Sequence, residues 1–121
     1  MPPEIITTRT ARTWLRDDGI VCIEVMPEVV QTLEDAKANF SAGVASRGAV
    51  VRPVLIDIRQ GGPLSAEARH HYTGGRLSDI YSAMALLTTT GAFGTMMANL
   101  YIKVASPGIP TRLFYREDEA T

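Results

Sequence analysis

The sequence predicts a mixed α/β fold: a five-stranded sheet that opens with an antiparallel hairpin and lies under helical cover, in the order strand, strand, helix, strand, helix, strand, helix, strand. Three observations predict it. Two strand-like runs, "TTRTARTWLR" and "IVCIEV", flank Asp17-Asp18-Gly19, and Asp-Gly between such runs is a strong hairpin signal. The run "PVLIDI", residues 53–58, is apolar on both faces except at Asp57, the pattern of a central strand with helices on each side. Downstream of it helix-like and strand-like segments alternate, which calls for a mostly parallel sheet with helical crossovers.

Each element has its own chemistry. From Pro27 to about Ser46, Val29, Leu33, Ala36, Phe40 and Val44 recur at helical spacing, while Glu34, Asp35 and Lys37 take the other face. Pro27 suits the first turn and Gly48 lies just past the end. After the corner "RQGGPL", Ser65 is an N-cap for the short helix "AEARHHY". A loop "TGGR" and a turn around Ser78 and Asp79 lead to a strand over Ala83 to Thr89. The next helix, Ala92 to Val104, sets Phe93, Met96, Met97, Leu100, Tyr101 and Val104 on one face, and "SPGIP" stops it. "TRLFYR" is the last strand and "EDEAT" an acidic tail.

Composition narrows the function classes. With 121 residues, 45% hydrophobic and 21% charged, the chain fits one globular domain with a real core. Twelve basic residues against thirteen acidic ones give a net charge of −1, so no global field favours nucleic acid or an anionic membrane. A single cysteine, Cys22, excludes an internal disulfide; it sits in an aliphatic run and reads as packing. The N-terminus lacks the basic-then-apolar pattern of a secretory signal, and the apolar stretch after Ser82 is broken by threonines, glycines and a lysine. The expectation is a cytoplasmic protein with no membrane insertion.

The order of elements, the segment "VLIDIRQGGPLSAEAR", the strand "AMALLTTT" and the closing "PTRLFYREDEA" resemble the STAS-like group, which comprises the anti-sigma-factor-antagonist (SpoIIAA-like) fold and bacterial offshoots of unknown function. The likeness runs over nearly the whole chain, as one STAS-like domain. It implies a non-enzymatic signalling module that binds a partner protein and, in the best-known members, is switched by phosphorylation of a serine within an Asp-Ser-Ser-Gly motif. Asp57 has its counterpart in that motif, but the corner here reads "GGPLSAEA". Ser65 is the only hydroxyl near the helix start, and the position corresponding to the phosphorylated serine falls nearer Glu67.

Asp57 is either a base or ligand, or a structural acceptor for the amides of the corner. Ser65 is either a phosphate acceptor or a plain cap. With Arg59, Glu67 and Arg69 they form the expected docking or switch surface. A second expectation, from another class, is a small-molecule or lipid crevice at the carboxyl ends of the central strands, lined by Asp57, Gly91 and Gly94. "TTTGAFGT" lacks the patterns of a P-loop or dinucleotide fold. His70 and His71 are neighbours about 100° apart on a helix and do not readily share one ion, so no metal and no cofactor is expected. No nucleophile motif accompanies any serine, and a homodimer through an edge strand or an exposed patch stays open.

Overall fold

The structure is a computed structural model and describes residues 4–26, 30–48, 50–60, 65–72, 80–105 and 110–115. Strands β1 (Ile6–Thr7), β2 (Ala11–Leu15) and β3 (Val21–Val25) precede α1 (Leu33–Arg47); β4 (Arg52–Asp57), α2 (Ala66–Tyr72), β5 (Tyr81–Leu87), α3 (Ala92–Ala105) and β6 (Thr111–Phe114) follow. They build one sheet in the order β1-β2-β3-β4-β5-β6, antiparallel through β3 and parallel from there on. The sheet therefore has six strands where the sequence predicts five. The addition, β1, is only two residues long, too short to carry a readable alternation; it is set by a turn in which the Thr8 hydroxyl accepts from the Ala11 amide at 3.1 Å.

The hairpin forms where Asp-Gly predicts it. The Gly19 amide closes on the Arg16 carbonyl at 3.0 Å and the Arg16 amide on the Ile20 carbonyl at 2.9 Å, with Gly19 at φ +87°, a left-handed backbone that glycine adopts without a Cβ clash.

Each crossover from β3 onward steps one strand in the same direction, and right-handed crossovers of that kind put the three described helices on one side of the sheet. The core agrees: Ala36 of α1, Ala68 of α2 and Met97 of α3 share a cluster with Val21, Val54, Ile56, Met84 and Leu86. On the opposite side Cys22, Leu55 and Leu87 are covered by Trp14, Ile20, Ala85 and Phe114, all from the strands or the hairpin turn. This corrects the expected helical cover on both sides of β4. A run that is apolar on both faces fits either a second helical layer or a face closed by bulky neighbours on the same sheet, and the second arrangement holds here.

Pro53 is tolerated inside an interior strand because β3 first pairs with β4 at Val21–Val54, so the missing amide falls before that ladder begins. Between Arg52–Tyr81 and Val54–Met84, β5 has one residue more than β4, a β-bulge. Tyr81 is thereby placed on the helical side with Met84 and Leu86, and burial pushes its phenol well above the usual range.

Helix α1 starts later than its apolar spacing suggests. Thr32 is the N-cap, its hydroxyl accepting from the Asp35 amide while the Asp35 carboxylate accepts from the Thr32 amide, a reciprocal capping box. Pro27 and Val29 lie outside the described residues. Asp35, expected on the solvent face, is buried: it takes the Arg9 guanidinium, and beside it Asn39 donates to Thr10 at 2.8 Å. Val44, expected in the core, is exposed, and Gly48 ends the helix at φ +72°. In α3, Met97 is buried but Met96 is 56% exposed, so the two do not share a core stripe. The side chains of Phe93, Leu100, Tyr101 and Val104, and the expected loop 73–79, lie outside the described residues.

Candidate functional site

Asp57 ends β4 on the face away from the helices, beside Glu24 of β3, with which it is paired in register. Glu24 in turn stands opposite Arg12 of β2 and accepts from its guanidinium at 3.3 Å. Beyond the strand end the chain turns back, and Arg59 binds the Asp57 carboxylate through Nε at 3.0 Å and Nη2 at 2.8 Å. The Arg59 amide also donates to Asp57 Oδ1 at 3.1 Å, so the carboxylate fixes both the turn and the side chain it carries. The result is a row of alternating pairs, Arg12 with Glu24 and Asp57 with Arg59, across the amino end of β2 and the carboxyl ends of β3 and β4. Two carboxylates on adjacent strands repel each other, and an arginine on each outer flank offsets that.

This row borders an open, largely polar cleft of about 400 Å³, lined by Glu24, Val25, Asp57, Arg59, Gln60 and Thr89. Arg59 reaches solvent at its rim with 41% of its side chain exposed. Of the expected crevice residues, Asp57 lines the cleft, whereas Gly91 and Gly94 are not among its lining. Gly94 is buried, and a Cβ there would stand 1.8 Å from the Thr89 carbonyl oxygen; the glycine lets the first turn of α3 lie against the end of β5. Gly91, at φ +102°, makes the bend into that helix, and its carbonyl accepts from the Thr95 amide.

The expected docking residues divide between two places. Ser65 is the N-cap of α2: its hydroxyl accepts from the Ala68 amide at 3.1 Å, and its own amide donates to the Gln31 carbonyl at 2.8 Å. Glu67 is exposed and borders a different hollow of about 380 Å³ beside Leu33, Ala66, His70 and His71. His71 meets Phe40 edge to face, the centroids 5.9 Å apart. The side chain of Arg69 lies outside the described residues. Arg12 and Glu24 are the residues the sequence reading missed. No signal along the chain marks them, because their link to Asp57 exists only through strand pairing.

Among the described residues no three His, Cys, Asp or Glu side chains stand together as a metal site would require. No helix among them is long and apolar enough to cross a membrane.

A family model described as a domain of unknown function matches residues 13–121. No curated protein matches the chain. Among solved structures it is similar to a protein of the DUF3478 family from Shewanella loihica PV-4, described as uncharacterized and as having a SpoIIAA-like fold. The TM-score is 0.60 at 18% identity, over 98% of this chain and 89% of that one. The fold is therefore SpoIIAA-like.

Proposed function

The chain belongs to the DUF7793 family, and on that premise we propose that it is a non-enzymatic binding or regulatory module that docks a partner protein at the carboxyl ends of β3 to β5. The observation that carries the reading is the Asp57–Arg59 fork. A guanidinium held by its own carboxylate loses little further freedom on binding, and arginines pre-ordered in this way are typical anchors of protein interfaces. Glu24 and Asp57, side by side, offer a place for a basic side chain of the partner, while Arg59 at the rim offers one for an acidic group. Ser65 and Glu67 extend the surface toward α2, and Ser65 is the point where a phosphate would act, by taking its hydroxyl away from the Ala68 amide.

Capture from extracts of the native host with the immobilised full chain, followed by binding measurements on the protein retained, tests the reading. Arg59→Glu reverses the anchor and leaves the strand ladder intact. The expected result is a partner bound by the wild type and weakened at least about tenfold by the variant, the loss of one buried charged contact being worth 1.4 kcal/mol or more. Binding that is indifferent to Arg59→Glu rejects this surface. The cleft's volume of about 400 Å³ also suits a small polar ligand. A metabolite screen by thermal shift separates that case: a reproducible rise with one compound class, lost in Asp57→Asn, would replace the partner protein with a ligand.

A further inference from the structure

The parallel part of the sheet, β3 to β6, is covered by helices on one face only among the described residues. Parallel strands are ordinarily covered on both faces, so an open stretch in the middle of such a sheet is a place where something else can pack. That stretch lies along β5. Met84 and Leu86 are buried toward the helices, whereas Ala83 and Ala85, on the other face, are only half-buried although β5 has a neighbour on each side. Two alanines between larger residues leave a trench. Pro53 and Leu55 of β4, with Ile20 of the hairpin turn, form one wall, and Pro110, Arg112 and Phe114 form the other, around a volume of about 240 Å³.

Among the described lining residues Arg112 alone is charged. It is in register with Ala85, Ala85 with Leu55 and Leu55 with Cys22, so an apolar row across four strands ends in a guanidinium. Arg9, Arg12, Arg16 and Arg59 each hold a carboxylate, but no carboxylate or carbonyl of the described residues engages the Arg112 guanidinium. We propose that the trench binds a small hydrophobic carboxylate, a free organic acid whose ring or short chain lies over Ala83 and Ala85 and whose carboxylate accepts from Arg112. Charge selects the anion, since a guanidinium presents its N–H groups as a fork that a carboxylate meets with both oxygens. The alanine floor selects an apolar body. Size selects a free acid: the volume falls below the roughly 300–1,000 Å³ of drug-sized sites, so it holds one ring or a short chain and not a peptide segment or a long acyl tail. The trench shares no lining residue with the Asp57–Arg59 cleft, so either proposal can fail alone.

Titration of the isotope-labelled full chain with phenylacetate, followed by amide chemical shifts, tests it. Saturable shifts centred on Ala83, Ala85 and Arg112 are expected, with a dissociation constant of a few millimolar or below, as suits a ligand of about ten non-hydrogen atoms in a shallow site. Phenylacetamide has the same shape without the charge and should bind at least about tenfold more weakly, because charge-assisted hydrogen bonds are lost. Arg112→Gln should weaken phenylacetate by the same factor and leave phenylacetamide unchanged. Ala83→Val suits a strand and fills the floor; it should abolish binding of both compounds with an unchanged urea midpoint. No saturation by concentrations on the order of 10 mM, equal affinity for acid and amide, binding indifferent to Arg112→Gln, or shifts centred on Glu24 and Asp57 overturns the proposal. A peptide ending in a free phenylalanine carboxylate that binds more tightly than phenylacetate overturns it too, by giving the site to a protein terminus. Should Ala83→Val fail to fold, Arg112→Gln, at an exposed position, decides it.

Discussion

Asp35 is the most tightly held charge among the described residues. Arg9 binds its carboxylate, and the Thr32 amide and hydroxyl each donate to it at 2.9 Å. The hydrogen bonds from Arg9 first, and then those from Thr32, outweigh burial and draw its carboxyl from the ordinary 3.8 down to about 2. A carboxylate depressed in the folded state stabilises fully above its unfolded value, and that contribution is lost as pH falls through the folded one. Asp35→Asn should therefore cost about 2 kcal/mol at neutral pH, read from urea midpoints, since hydrogen bonds to a charged group are worth about that much. The gap between variant and wild type should narrow as pH drops from 3.8 toward 2. A gap that stays constant over that range would show that the charge is not what matters. The sequence placed Asp35 on the solvent face because its partner, Arg9, lies 26 residues upstream and on another element. Asp57 was legible for the opposite reason: its partner Arg59 is two residues away, and an aspartate at a strand end commonly fixes the turn that follows.

At the scale of elements, local chemistry was readable and pairing was not. The hairpin followed from Asp18-Gly19, the end of α1 from Gly48, and the start of α2 from Ser65, because each is decided within a few residues. The start of α1 was misread because apolar spacing continues back to Val29, whereas the capping box at Thr32 and Asp35 sets the boundary. Glycines behave alike: that one is needed near the end of β5 is plain from "TTTGAFGT", but which backbone it faces is not. Gly94→Ala would drive a methyl group into the Thr89 carbonyl, an atom of the main chain that cannot swing aside as a side-chain tip can. The expected cost is about 3 kcal/mol, at the upper end for overpacking, measured by chemical denaturation. A loss smaller than about 1 kcal/mol, the ordinary gain of alanine over glycine in a helix, would mean that α3 shifts outward to absorb it.

For the whole molecule, the fold class and the order of elements came from alternation along the chain, but the single helical layer did not, because apolar composition does not state what covers it. The layer predicts a gradient of local stability. The strands β4 and β5 carry neighbours on both sides and the buried residues Val54, Leu55, Ile56, Met84, Leu86 and Leu87. Their amides should be the slowest to exchange with deuterium, with those of β1 among the fastest; equal protection of β1 and β4 would contradict this architecture. The extra residue in β5 has an effect on the same scale. An unbroken zigzag would send the phenol of Tyr81 to the side opposite Met84 and Leu86, the face of Leu55 and Leu87. By shifting the phase once, the strand anchors α1 with an aromatic ring tucked against Gly43, where a methyl group in place of the glycine hydrogen would collide with the phenol oxygen.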